Sequence, residues 1–157
     1  MTAAAGVFAV LRWTSTNRLD ELLELVHGAF AGLQPPSSVL TETVDDVALR
    51  LRDGFALVAE ADSRFIGSVF AARRDDALYL ARLAVAPAWR KLGVGRALVD
   101  AVADEARAAG LKRLSLRVRQ NLPGNRAYFE HLGFAVTGQG QDPGRPPYDA
   151  MERRLAG

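Results

Sequence analysis

The chain has 157 residues, of which 49% are hydrophobic and 24% are charged, and it contains no cysteine. Its length suits one domain, so we expect a single domain over residues 1–157. The lack of cysteine excludes disulfides, Cys-ligated zinc and a cysteine nucleophile, and two histidines are too few for a three-His metal site, so no metal is expected. No apolar stretch approaches the ~20 residues of a membrane span, and Met1–Val10 lacks the basic start of a signal peptide. We therefore expect a cytoplasmic protein without a membrane partner.

The formal net charge of +2 conceals an uneven distribution. Residues 73–126 carry 12 basic and 5 acidic side chains, whereas residues 1–72 carry 5 and 9. Nearly all the basic residues are arginine, whose guanidinium suits phosphate oxygens. This pattern suits an anionic partner, but charge alone favours the other explanation, a solubilising surface from an arginine-preferring genome. Nucleic acid is not the expected partner, because Arg113, Arg117 and Arg119 share one strand face without interleaved aromatic residues.

Hydrophobic periodicity and turn residues predict the elements in chain order. A first strand, Val7–Trp13, precedes two helices; Asn17 is the predicted N-cap of the first, and Thr43 opens the second, which ends at Gly54 as a left-handed cap. The later elements are strands at Phe55–Glu60, Phe65–Ala72 and Ala77–Val85, a helix at Arg96–Ala109, a strand at Arg113–Arg119, a helix near Gly124–Leu132, and strands at Phe134–Val136 and Tyr148–Arg154. This order indicates an α+β fold with a central mixed, mostly antiparallel sheet and about four flanking helices.

The most informative segment is Leu83–Ala97, in which a strand ends, the chain turns and a helix begins. The turn contains Arg90, Lys91, Gly93 and Gly95. A helix N-terminus offers unpaired N–H groups and a positive dipole end, and glycines let that backbone approach a phosphate closely. The spacing matches neither a P-loop nor the dinucleotide-binding fingerprint. A Gly-x-Gly turn alone also occurs where a helix merely begins.

As a whole, this segment resembles the GNAT family of acetyl-CoA-dependent N-acyltransferases. The family signature, Arg/Gln-x-x-Gly-x-Gly/Ala, is matched by Arg90–Gly95, and Ala127–Phe134 is similar to the family's helix ending in Gly-Phe. The element order agrees from Val7 to Arg154. The resemblance implies a GNAT-type fold and an acyltransferase that moves an acetyl group from acetyl-CoA to a primary amine by direct transfer in a ternary complex.

The resemblance also implies where the cofactor binds. The backbone of the strand end would hold the pantetheine arm, and the N–H groups of the turn would bind the pyrophosphate. The implied cofactor-binding residues are Leu83, Ala84, Val85, Arg90, Lys91, Leu92, Gly93, Val94, Gly95, Arg96 and Asn125. A solvated position on the helix face is an equal alternative for Arg96, and Asn125 could instead stabilise the start of its helix.

The sequence departs from the family pattern at the catalytic positions. The tyrosine that the family often places four residues before the Gly of Gly-Phe is Phe129 here, with Tyr128 beside it. The position of the usual glutamate base corresponds to Ala81. The resemblance therefore leaves Tyr128 as the candidate acid and Glu60, at a strand end, as the candidate base, with Asp75–Asp76 as further candidates.

Two functions stay open at this point. The first is an N-acetyltransferase acting on a small-molecule or protein amine, with the acceptor and the preferred acyl length unidentified. The second is a non-catalytic acyl-CoA-binding module of the same fold, suggested by the loss of both usual catalytic positions. By analogy with the family, a homodimer is expected. The helix pair Leu19–Leu51 and the loop Gly138–Pro147 occupy positions that shape acceptor sites in this fold.

Overall fold

The structure, a computed structural model, describes residues 7–156; residues 1–6, the larger part of the Met1–Val10 segment, and residue 157 lie outside the description. The strands are β1 Ala9–Trp13, β2 Phe55–Ala61, β3 Arg64–Arg74, β4 Ala77–Val85, β5 Arg113–Arg119, β6 Ala135–Gly140 and β7 Tyr148–Arg154. The helices are α1 Leu19–Phe30, α2 Val44–Asp53, α3 Val94–Ala108 and α4 Pro123–His131. No helix within residues 7–156 is long and apolar enough to cross a membrane.

The seven strands form one sheet in the order β1-β2-β3-β4-β5-β7-β6. Every neighbouring pair is antiparallel except β4 and β5, which are parallel and are connected through α3. The α+β fold with a mostly antiparallel sheet and four helices is therefore confirmed. The bounds of β4, β5 and β7 are those predicted from the sequence, and the other elements differ from their predicted bounds by a few residues.

The two parallel strands separate soon after they pair. Ladder pairing between β4 and β5 ends at Tyr79 and Ser115. Further along β4, two residues lie between Ala81 and Ala84 where β3 has only one, so β4 carries a bulge opposite Val69. Arg82 occupies this bulge with φ +54°, a conformation uncommon for residues with a side chain. A bulge bends its strand, and this one lies where β4 leaves β5.

Both faces of the sheet are covered, because each helix buries one apolar stripe. On one face α3 packs over the sheet, with a core that includes Leu57, Leu80, Val99, Val102, Leu114 and Met151. On the other face α1 and α2 bury Leu22, Val26, Val47, Val58 and Phe70. Gly67 permits the close approach of α3, since a Cβ there would lie 2.7 Å from a methyl carbon of Val94.

Two predictions about helix ends are wrong. The residue preceding α1 is Arg18 rather than Asn17; it has φ +60° and offers no side-chain cap. Its guanidinium instead joins α1 to the sheet through Glu21 and Glu60. Gly54 is extended, with φ −164°, and does not form a left-handed cap. A glycine is needed there for another reason, because a Cβ would overlap the carbonyl oxygen of Ala71.

Candidate active site

The turn after β4 presents the N-terminus of α3 to solvent. Lys91 and Gly93 both have left-handed backbones, with φ +64° and +85°, and α3 has no side-chain cap. Within the helix the first backbone bond is donated by Ala97, to the carbonyl of Gly93 at 3.0 Å. The N–H groups of residues 94–96 therefore have no intrahelical acceptor. They form an anion-binding arrangement at the positive end of the helix dipole.

The strand edge leading to this turn is also available for hydrogen bonding. Beyond Tyr79, β4 remains paired with β3 but no longer with β5. The backbone of Leu83 and Val85 on that side has no strand partner, although the Val85 carbonyl accepts a hydrogen bond from Arg90, and both residues are only partly buried. Buried or half-buried backbone groups require partners. An extended ligand carrying amide groups would supply them, with its anionic end at the α3 terminus.

The other residues of the turn are exposed. Arg90 is anchored by an Nε donation to the carbonyl of Val85 at 3.3 Å, whereas Lys91, Leu92 and Arg96 extend into solvent. Space at the turn is open, since a Cβ added at Gly93 would meet nothing within 4 Å. The structure thus brings the predicted cofactor-binding residues of the strand and turn together along one path.

Tyr128 reaches the same place from α4. Its hydroxyl lies against Gly95, where an added Cβ would overlap it and would also lie 3.9 Å from a methyl carbon of Val85. The phenol therefore sits where α3 begins and β4 ends. Tyr128 is 41% exposed; the partial burial of its phenol raises the pKa, while the positive charge of Arg96 acts in the opposite direction. The side chain stays protonated, and able to donate, throughout the neutral pH range.

Two other positions, that of the family's usual tyrosine and the candidate base Glu60, do not reach this place. Phe129 turns into the core, where its ring lies 5.7 Å from that of Phe134. Glu60 lies on β2 and forms an ion pair of 2.7 Å with Arg18; β3 separates β2 from β4. Asn125 is exposed in the first turn of α4, where its backbone N–H donates to the carbonyl of Leu122 at 3.0 Å.

Sequence reasoning missed a carboxylate beside the bulge. Glu42, just before α2, accepts hydrogen bonds from Arg82 Nε at 3.3 Å and Nη2 at 2.7 Å, and from Arg50 at 3.0 Å. Burial favours the neutral acid, but the two guanidinium groups outweigh it and lower the pKa of Glu42. Forty residues separate the partners, so no local pattern could have shown the pair. The unusual φ of Arg82 appears only in the structure.

A cleft of about 280 Å³ opens on the face of the sheet opposite α3. It lies between α2 and the adjoining parts of β3 and β4, and its polar lining includes Glu42, Asp46, Arg50, Asp53, Arg74 and Tyr79. Ala81, which occupies the position of the family's usual glutamate base, also lines this cleft. The bulge can therefore be approached from two sides: along the α3 terminus on one face and from this cleft on the other.

Comparisons with known proteins agree with this geometry. A family model described as the acetyltransferase (GNAT) family matches residues 19–134. A solved structure of the ribosomal-protein-S18-alanine N-acetyltransferase from Escherichia coli is 20% identical, with a TM-score of 0.75 over 96% of this chain and 95% of that one. Ard1 from Thermoplasma volcanium is 15% identical, with a TM-score of 0.81 over 96% and 99%.

A third structure carries a ligand. The PaiA N-acetyltransferase from Thermoplasma acidophilum, solved in complex with coenzyme A, is 18% identical, with a TM-score of 0.76 over 94% of this chain and 99% of that one. At these identities the likeness to solved structures concerns the fold.

Proposed function

The chain belongs to the acetyltransferase (GNAT) family and is an acyltransferase; from this we propose that it transfers the acetyl group of acetyl-CoA directly to a primary amine, within a ternary complex. The observation that carries the proposal is that β4 separates from β5 beyond Tyr79 and then leads to an uncapped helix N-terminus at Val94. A strand edge with free backbone groups and an anion-binding helix end match the two ends of a pantetheine pyrophosphate. Acetyl-CoA supplies the acetyl group as a thioester.

We propose that main-chain groups, more than side chains, bind the cofactor. The main chain of Leu83, Ala84 and Val85 holds the amide-bearing arm, as an added strand would be held. The N–H groups of residues 91–96 hold the pyrophosphate, and the cationic side chains of Arg90, Lys91 and Arg96 add long-range attraction. Asn125 is exposed on the first turn of α4, three residues before Tyr128, and we keep it as a further cofactor contact.

The chemistry needs a proton for the departing sulfur and removal of a proton from the amine. Tyr128 is the proposed proton donor, because its hydroxyl lies at the end of β4 and stays protonated at neutral pH. Ala81 offers no base at the position where the family often has one. Glu42 is a weak base, since Arg82 and Arg50 lower its pKa. Glu60 forms an ion pair with Arg18. Water in the cleft therefore accepts the amine proton.

Calorimetry with acetyl-CoA tests the cofactor site. Gly93→Asp places a carboxylate at the proposed pyrophosphate position and should weaken binding at least tenfold. Gly32→Asp is the matched control: Gly32 also has a left-handed backbone, with φ +84°, and open space around its Cβ position. It should bind acetyl-CoA as the unchanged protein does. No binding by the unchanged protein, or equal binding by both variants, would refute the assignment.

Turnover separates catalysis from simple binding. Release of the free thiol of coenzyme A is followed across a panel of primary amines. Acetylation of at least one amine is the expected result. Binding of acetyl-CoA without turnover of any amine would instead identify a non-catalytic acyl-CoA-binding module.

A further inference from the structure

One face of β5 carries arginine side chains along its whole length. Leu114, Leu116 and Val118 point into the core beneath α3, so the alternate residues lie on the opposite face. Arg113 is neutralised there by Asp76 and Glu152. The next two arginines of this face, Arg117 and Arg119, come after the last residue that pairs with β4. They lie along the part of β5 that borders the opening.

A third arginine reaches the same rim from the loop between β6 and β7. Arg145 donates from Nη1 to the hydroxyl of Ser38 at 2.6 Å, and Arg119 donates from Nη1 to the carbonyl of Pro35 at 2.6 Å. Both contacts are with one short segment between α1 and α2. We refer to Arg117, Arg119 and Arg145 as the rim arginines.

The rim arginines carry more charge than their surroundings neutralise. Among residues 7–156, neither Arg119 nor Arg145 forms an ion pair. Arg117 has one distant partner, Asp142 at 3.6 Å, and both side chains of that pair are about half exposed. The Arg117 guanidinium also stacks on the ring of Tyr148, 4.4 Å from its centroid. Three guanidinium groups thus face a single carboxylate, and each keeps N–H donors free.

The position of this charge defines what it can bind. Arg119 lies four residues beyond the last paired residue of β5, and the bulge at Arg82 lies three residues beyond the last paired residue of β4. At ~3.3 Å per residue, the two positions stand at similar heights on either side of the opening. The α1 and α2 helices, which cover this face, pack mainly on β2, β3 and β4. The rim arginines are therefore open to a ligand that approaches the bulge from the acceptor side.

We propose that the acceptor carries a carboxylate in addition to its amine, and that the rim arginines bind this carboxylate while the amine enters the opening beside the bulge. A guanidinium fork matches the two oxygens of a carboxylate. A polyamine or a peptide N-terminus within a cationic sequence would instead be repelled here. The inference rests on the proposed acetyl transfer and identifies the class of its acceptor as a small amino acid-like molecule.

Matched acceptor pairs test the proposal: the common α-amino acids, β-alanine and 4-aminobutyrate, each compared with its carboxamide. Amide formation makes the amine easier to deprotonate, so chemistry alone favours the amide. We expect kcat/KM to be at least tenfold higher for the free acid of the preferred pair. Arg119→Gln should lower kcat/KM for that acid at least tenfold, chiefly through KM, and leave the values for its amide and for acetyl-CoA unchanged.

Control variants separate recognition from folding. Arg119→Lys keeps the charge and should restore part of the preference for the acid. Arg145→Gln, on an exposed loop, should also lower the preference for the acid. It serves as the test if Arg119→Gln is too unstable to assay. Arg73→Gln, near the end of β3 and remote from the rim, should change nothing.

Equal use of acid and amide would overturn the proposal, as would an equal loss of both in Arg119→Gln. So would acetylation of neither member of any pair by a protein that binds acetyl-CoA. Failure of the unchanged protein to bind acetyl-CoA would instead refute the proposed function itself.

Discussion

The contact between Tyr128 and Gly95 can be tested by a double-mutant cycle on stability. A Cβ at position 95 would overlap the Tyr128 hydroxyl, whereas the ring carbon bearing that hydroxyl would lie 3.4 Å away, an ordinary contact. Forced overlap costs ~1–3 kcal/mol, and Gly→Ala in a helix gains ~0.5–1 kcal/mol. Gly95→Ala should therefore destabilise the unchanged protein by up to ~2 kcal/mol, and stabilise the Tyr128→Phe variant by ~0.5–1 kcal/mol.

Urea unfolding of the four proteins measures this coupling, which should amount to ~1–3 kcal/mol. Gly28→Ala is the control, because Gly28 is helical and nothing lies within 4 Å of its Cβ position. It should have the same effect with and without the Tyr128 hydroxyl. If the effects of Gly95→Ala in the two backgrounds agree within ~0.5 kcal/mol, the hydroxyl does not lie against α3. The assignment of Tyr128 to the site would then fail.

Four further outcomes are expected. Gly54→Ala should lower the free energy of unfolding by at least ~2 kcal/mol in urea titrations, because the overlap is with the main chain of Ala71, which has no rotamer to change. Asp149→Ala should cost ~1–3 kcal/mol in the same assay, since the buried carboxylate accepts hydrogen bonds from two glutamine amides. Because the pKa of Glu42 is lowered in the folded protein, its ion pairs stabilise the protein at pH values above the ordinary pKa of 4.5. This stabilisation is lost as the pH falls through the lower pKa that Glu42 has in the folded protein. The stability difference between the unchanged protein and Glu42→Gln should accordingly stay constant from pH 7 down to about pH 4.5 and shrink below it. Tyr128→Phe should lower kcat about 100-fold and abolish the fall in kcat at alkaline pH; an unchanged kcat would return the proton donor's role to water.

The sequence predicted most reliably those elements that are decided locally. Strict alternation located β5, and the proline after Val85 marked the end of β4. The residues at helix ends depend on tertiary contacts, which the hydrophobic pattern of the sequence does not contain. Asn17 is a good cap by residue type, yet α1 begins one residue later because Arg18 is held by the carboxylates of Glu21 and Glu60. Gly54 resembles a helix terminator in the sequence, but β3 lies too close to it for any side chain.

The candidate site divides in the same way. Its proposed cofactor side is a contiguous stretch of glycines and backbone N–H groups, so a short motif describes it. Its acceptor side is assembled from side chains far apart in the chain. Glu42 contacts Arg82 forty residues away, and Arg119 contacts Pro35 across eighty-four residues. No spacing rule connects such pairs. The bulge at Arg82, beside the opening, depends on how β3, β4 and β5 pair.

This division also explains why the structural neighbours do not identify the acceptor. Proteins only 15–20% identical to this chain retain the sheet and the helix positions, because the core and the cofactor-binding backbone tolerate many side chains. In our proposal the acceptor is recognised by polar side chains at the rim, where a few substitutions would change the charge without affecting the core. The specificity of this protein must therefore be derived from its own rim. Three arginines facing one carboxylate favour an acceptor that brings a negative charge with its amine.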